Sequence, residues 1–181
     1  MDTKRIVITG GPGSGKTALI NFLENEGHHV MHEISREVIQ QAQKEGIEQL
    51  FLEDSMLFSQ KLMDGRLKQF KAGDLCEVPI LFYDRGMPDV TAYLDYVNEM
   101  YPLEFEQNCR SHRYDYVFVL PPWKEIYKQD NERYESYEEA EKIFQFLKSG
   151  YENYGYLIHE VPMGAVKNRV QHILETIKKL Y

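Results

Sequence analysis

Cysteine is scarce in this chain: its 181 residues hold two, Cys76 and Cys109. Their spacing suits neither a metal-ligand pair nor a redox pair, so both are expected as small buried hydrophobes. The cytoplasm, or another reducing compartment, is the default. Long apolar runs are missing too. None is long enough to span a bilayer, so no transmembrane segment is expected. The first strand starts so near the N-terminus that a signal peptide has no room. Positive charge is in short supply: 21 Lys and Arg face 29 Asp and Glu, for a net charge of −8. A nucleic-acid motor or polyanion binder carries a basic surface, so no nucleic-acid partner is expected. Internal repeats, linkers and low-complexity segments are absent. What remains is 43% hydrophobic and 28% charged, the balance of an ordinary globular protein. One domain over 1–181 with a sizeable core is expected.

Against that plain background stands one octet, Gly10-Gly11-Pro12-Gly13-Ser14-Gly15-Lys16-Thr17. It fits the phosphate-binding pattern G-x-x-x-x-G-K-[ST]. A short apolar strand over residues 4–9 precedes it, and residues 18–24 follow with apolar side chains at Leu19, Ile20, Phe22 and Leu23, as in a helix. Strand, glycine loop and helix are the context the pattern requires. Glycines let the backbone wrap with its N–H groups turned inward, a concave nest for anions. The first helical turn adds unpaired N–H groups and the positive end of its dipole. Gly11, Pro12, Gly13, Ser14 and Gly15 are therefore expected to cradle phosphates. Lys16 is expected to reach the β- and γ-phosphates, and the Thr17 hydroxyl to bind Mg²⁺. The expected ligand is a nucleoside triphosphate, ATP or GTP, with Mg²⁺.

The rest of the chain alternates strand and helix. Strands are predicted at 28–32, 79–83, 115–120 and 156–161, and helices at 33–44, 51–70, 89–100, from Ser136 onward, and 166–180. Ser136 and Glu139 form a capping-box pattern. Five strands separated by helices predict an α/β fold, a parallel sheet covered on both faces. Ligands bind such sheets outside the carboxyl ends of the strands. That rule nominates the segments after each strand.

Asp84, at the end of the most apolar strand, is placed to hold Mg²⁺ opposite Thr17. Arg85 offers a bidentate fork to a phosphate of the triphosphate or of an acceptor. Glu33 ends the second strand, and a carboxylate there can take the proton of an acceptor hydroxyl. A second Mg²⁺ ligand and a dipole-favoured acid beside a Ser35 cap are equally open readings. Arg36, one turn on, can hold an acceptor phosphate or balance Glu33. Residues 121–136 sit where a lid would close, and Arg133 could stabilise charge on the transferring phosphoryl group. Val161 and Pro162 follow the last strand, where a loop can lie against the nucleotide base or simply turn. His28, His29 and His32 have no cysteine nearby and are read as exposed or packed rather than metal-bound.

Taken together, the motifs resemble the AAA_28 group of P-loop ATPases. The glycine loop carries the likeness, with His32-Glu33-x-x-Arg36-Glu37-Val38-Ile39 and Phe82-Tyr83-Asp84-Arg85-Gly86-x-Pro88-Asp89. So do residues 113–127, Asp130-x-Glu132-Arg133 and Val161-Pro162-x-Gly164-x-Val166-x-x-Arg169-Val170. This group is similar to nucleoside and nucleotide kinases and to the ribosylnicotinamide kinase domain of NadR-type proteins. Eukaryotic relatives of the TTD14 type are linked to GTP and phosphatidic acid. The resemblance implies a P-loop NTPase fold, nucleotide-kinase-like and three-layered, with sheet order 2-3-1-4-5. It also implies an Arg-bearing lid and a base site near the loop after the last strand. Two functions follow as expectations: a kinase passing the γ-phosphoryl of ATP to a small nucleoside-like or other metabolite, or a nucleotide-dependent switch acting on a partner or membrane contact. No guanine-selecting N-K-x-D pattern follows the fourth strand.

Overall fold

All five expected strands form and run parallel in one sheet: β1 (Lys4–Gly10), β2 (His29–Met31), β3 (Ile80–Asp84), β4 (Tyr116–Leu120) and β5 (Ile158–Glu160). Their order is β2-β3-β1-β4-β5. The computed structural model describes residues 3–48, 50–127 and 136–180. Its helices are α1 (Lys16–Asn25), α2 (Ser35–Lys44), α3 (Leu50–Glu53), α4 (Ser55–Ala72), α5 (Pro88–Tyr96), α6 (Leu103–Ser111), α7 (Tyr137–Asn153) and α8 (Val166–Leu180).

Side chains alternate across a strand, and here the alternation divides the core into two layers. Ile6 and Ile8 of β1 face Leu19 and Leu23 of α1 and Val170 and Ile173 of α8. Val7 between them faces Met63 of α4, Val90 of α5, Phe105 of α6 and Phe144 of α7. In β4, Phe118 and Leu120 point to the first layer, Val117 and Val119 to the second. Each such side chain contributes about 1.5–3 kcal/mol by leaving water. The outcome is the expected three-layer α/β/α arrangement.

The register lines up the strand ends. Ile8 lies beside Asp84, and Gly10 beside Leu120. The glycine loop, Asp84-Arg85-Gly86 and the segment after β4 therefore leave the sheet at one rim.

Two expectations about helices need correction. The single helix over 51–70 is two, α3 and α4. Asp54 separates them with φ −150°, and its side chain accepts a hydrogen bond from the Leu57 N–H at 2.8 Å, capping α4. The helix expected over 89–100 stops at Tyr96, and α6 follows Pro102. Only Phe105 and Cys109 of α6 are buried, too thin an apolar stripe to register as a period. The capping box at Ser136 and Glu139 is present in full. Among the described residues, no helix is long and apolar enough to cross a membrane.

Candidate active site

The loop between β1 and α1 curls because Gly13 (φ +69°) and Gly15 (φ +75°) adopt left-handed backbone, a conformation only glycine takes without strain. A Cβ on Gly13 would also stand 2.3 Å from the Tyr127 ring. The loop is fixed from two sides. The Trp123 N–H donates to the Gly13 carbonyl at 3.0 Å, and Arg169 of α8 donates from Nη1 to the Ser14 carbonyl at 3.0 Å. Arg169 is 2% exposed. Its buried guanidinium is a strut beneath the loop. In the sequence Arg169 stands only as one position of the closing motif, with no role attached.

A cavity of about 750 Å³ opens over this loop. Gly11, Pro12, Gly13, Ser14, Gly15, Lys16 and Thr17 all line it, with Asn21, Arg85, Tyr93 and Ile126 among the others. Lys16 forms an ion pair with Asp84, and both side chains are nearly buried. Burial lowers the Lys16 pKa, as does the neighbouring Arg85 charge, while Asp84 opposes both. Thr17 and Asp84 thus offer a hydroxyl and a carboxylate next to Lys16. These are the hard oxygen donors that Mg²⁺ takes, with water and phosphate completing its shell.

Glu33 is the hub of a second cluster. Its Oε1 accepts from the N–H groups of Ile34 (3.0 Å) and Ser35 (3.2 Å), closing the N-terminus of α2. Ser35 itself is the first helical residue and not the cap. Arg66 of α4 donates from Nη2 to both carboxylate oxygens at 3.2 and 3.3 Å, and Arg85 Nε lies 2.6 Å from Oε2. Burial alone would raise the Glu33 pKa. The charges of Arg66, Arg85 and Lys16 outweigh it and hold the pKa at about 2. Arg66 was missed from the sequence, yet a signal was there. It lies three residues after Met63 and four before Phe70, inside the buried stripe of α4, where a charge needs a partner.

Arg85 itself has left-handed backbone, φ +75°. Asp89 holds it with a contact of 3.3 Å from Nη1 to Oδ1. Asp89 is 1% exposed. It also accepts from the Gly86 N–H at 2.8 Å, the Tyr151 hydroxyl at 2.5 Å and the Thr9 hydroxyl.

A second cavity, about 390 Å³, adjoins the first. Lys16, Ser35, Arg85 and Tyr93 line both. Glu33, Arg66 and Asp89 belong to the second alone, where the remaining wall is mostly apolar.

The other sequence candidates lie elsewhere. Arg36 is exposed on the first turn of α2 and lines neither cavity. Val161 is fully buried in the core with its N–H bonded to the Val119 carbonyl at 3.0 Å. Pro162 is exposed. Neither lines the loop cavity. Arg133 lies outside the described residues, as does the lid segment over 128–135. His32 pairs with Glu24 at 2.9 Å, and His28 packs edge-on against Phe82.

Comparison with known proteins agrees with this geometry. The fold matches deoxyadenosine kinase from M. mycoides, solved with the products dCMP and a flexible dCDP bound, at a TM-score of 0.70 and 16% identity, covering 97% of this chain and 99% of that one. It matches a NadR protein in complex with NR at a TM-score of 0.71 and 17% identity, covering 98% of this chain. Only 50% of the NadR chain is covered, so this chain spans about half its length. Identities this low establish a shared fold. No curated protein matches by sequence. A family model described as AAA domain, AAA_28, matches residues 5–169, and the chain belongs to that family.

Proposed function

We propose that the chain works as one P-loop kinase domain, passing the γ-phosphoryl of ATP to a hydroxyl of a small nucleoside-like acceptor. The observation that carries this reading is the pair of adjoining cavities. One is built on the glycine loop, the other holds a buried carboxylate, and Lys16 and Arg85 line both. A hydrolase needs no such second chamber. The nucleotides bound to the M. mycoides kinase support nucleotide binding by this chain.

The chemistry follows from the residues. Inward-facing amides of the loop and the Lys16 ammonium hold the polyphosphate. The phosphates displace Asp84 from Lys16. Mg²⁺, held by Thr17 and Asp84 in this proposal, supplies charge neutralisation on the polyphosphate oxygens when bound. Arg66 and Arg85 fix the Glu33 carboxylate in the acceptor chamber, where it accepts a hydrogen bond from the acceptor hydroxyl and aims its oxygen at the γ-phosphorus. As the new P–O bond forms, the bond to the bridging β–γ oxygen breaks and ADP leaves. The hydroxyl becomes acidic in that step, so a carboxylate with a pKa of about 2 takes the proton late, in keeping with a loose transition state. Arg85 lies where the transferring group carries charge. In this reading residues 121–136 form the lid, and Arg133 adds a second cation on closure.

The chamber suits a hydroxyl better than a phosphate acceptor. Its two guanidiniums are already committed to Glu33 and Asp89, and an ionised carboxylate repels a phosphate. An acceptor screen with [γ-³²P]ATP and Mg²⁺ tests the proposal. Transfer to one class of hydroxyl compound, well above hydrolysis, is the expected result. Hydrolysis that no acceptor alters would overturn it.

A further inference from the structure

The acceptor chamber has two unlike ends. At the inner end every charge is matched: Glu33 lies between Arg66 and Arg85, and Asp89 against Arg85. The outer end carries Glu99, just past α5, and Ser55, the first residue of α4. The Ser55 hydroxyl is 2.9 Å from each oxygen of the Glu99 carboxylate. Ser55 and Arg66 are separated by three turns of α4, about 16 Å at 1.5 Å per residue. Phe58, Leu62, Val90 and Leu94 supply the apolar wall between the two ends.

Glu99 is half-buried. An ionised carboxylate offers roughly four acceptor positions, and one hydroxyl proton fills only one of them. Among the described residues, no Lys, Arg or His lies within ion-pair distance of Glu99. Among the described residues its negative charge therefore has no counter-ion, at the end of a cavity whose wall is mostly apolar, the Ser59 hydroxyl being a further polar group in the α4 wall. A ligand that fills the channel strips water from this carboxylate. That is tolerable only if the ligand brings donors of its own. An acceptor ending in carbonyl oxygens or a carboxylate would set like against like.

We infer that Glu99, held by Ser55, selects acceptors that carry an N–H donor or a cationic nitrogen at the end remote from the phosphorylated hydroxyl. The class is an amino- or carboxamide-bearing aromatic heterocycle joined to a sugar. Phe58 and Tyr93 supply the aromatic surface beside such a ring, and Glu99 reads its edge. This specificity rests on the kinase reading, since the inner end is what makes the hydroxyl the reacting group.

The probes are matched pairs that differ at that edge: adenosine against inosine, cytidine against uridine, and ribosylnicotinamide against its carboxylate analogue. Direct binding is measured by calorimetry, and transfer by [γ-³²P]ATP. The donor-bearing member of at least one pair is expected to bind, and to be phosphorylated, ten- to a hundredfold better than its partner, the range for a charge-assisted hydrogen bond. Glu99→Gln retains a bond to Ser55 and removes the charge, and should shrink that ratio to a few-fold. Glu99→Lys should reverse it for the carboxylate analogue. Binding without preference overturns the inference while leaving the kinase reading intact if transfer occurs. A preference unchanged in Glu99→Gln does the same. A Glu99-dependent binding preference with no transfer to any probe overturns the kinase reading alone. Failure of every probe to bind overturns the inference.

Discussion

The Tyr151 hydroxyl of α7 donates to the Asp89 carboxylate of α5 at 2.5 Å, and both groups are buried. Burial, with the Asp89 charge next, raises the Tyr151 pKa well above its ordinary value, so the phenol stays a donor. The same carboxylate holds the Thr9 hydroxyl just ahead of the glycine loop, the Gly86 N–H and Arg85. One side chain thereby joins the strand feeding the loop, the turn carrying Arg85 and the helix that follows the proposed lid.

Removing a single partner from this junction leaves buried polar groups unmatched. Asp89→Asn should lower unfolding stability by about 2–4 kcal/mol, and Tyr151→Phe by about 1–2 kcal/mol. Urea denaturation read by circular dichroism measures both. Midpoints equal to the unmodified protein's would show that the junction carries no weight.

Glu33 makes a signed prediction in acid. Its folded pKa is about 2 against an ordinary 4.5, so the group is depressed on folding. The stability it contributes is complete above pH 4.5 and is lost as pH falls toward 2. Glu33→Gln should flatten the stability profile across that window. In the kinase assay the same variant should transfer phosphoryl about 10²–10⁴ times more slowly with triphosphate binding retained. An unaltered acid profile would mean that Arg66 and Arg85 do not hold the carboxylate as described.

Lys16→Ala should abolish binding of ATP and Mg²⁺ in calorimetry. In the unmodified protein, burial and Arg85 depress the Lys16 pKa, and phosphates would raise it again. Binding in alkaline buffer should therefore take up a proton, seen as a heat that varies with the ionisation enthalpy of the buffer. Equal heats in all buffers would count against Lys16 as the phosphate ligand.

Arg169→Met removes the donor to the Ser14 carbonyl while keeping much of the side-chain volume. Triphosphate affinity should fall about ten- to a hundredfold, the worth of one charge-assisted bond, because the loop loses its strut. Arg169→Lys should recover part of the loss. Unchanged affinity in both variants would make Arg169 a packing residue only.

Local chemistry wrote much of this protein into its chain order. The octet from Gly10 to Thr17 curls on its own glycines between an adjoining strand and helix, so its shape could be read directly, though not the Trp123 and Arg169 contacts that hold it. The alternation of strand and helix implied a parallel sheet, and the rule about carboxyl ends then put Glu33, Asp84 and Arg85 on one rim. The capping box at Ser136 was visible for the same reason: its partners are three residues apart. Folding in three dimensions decided the rest. Arg66, Tyr151 and Arg169 take their roles from groups 33 to 155 residues away, and Asp89 reaches Thr9, 80 residues away, as well as its own turn. A buried guanidinium or carboxylate acquires its meaning from whichever strand or helix packs against it, and no periodicity encodes that choice. The second cavity is the clearest case, since its walls come from four separate stretches, around Lys16 and within residues 33–35, 55–66 and 85–99, that meet only in the folded chain.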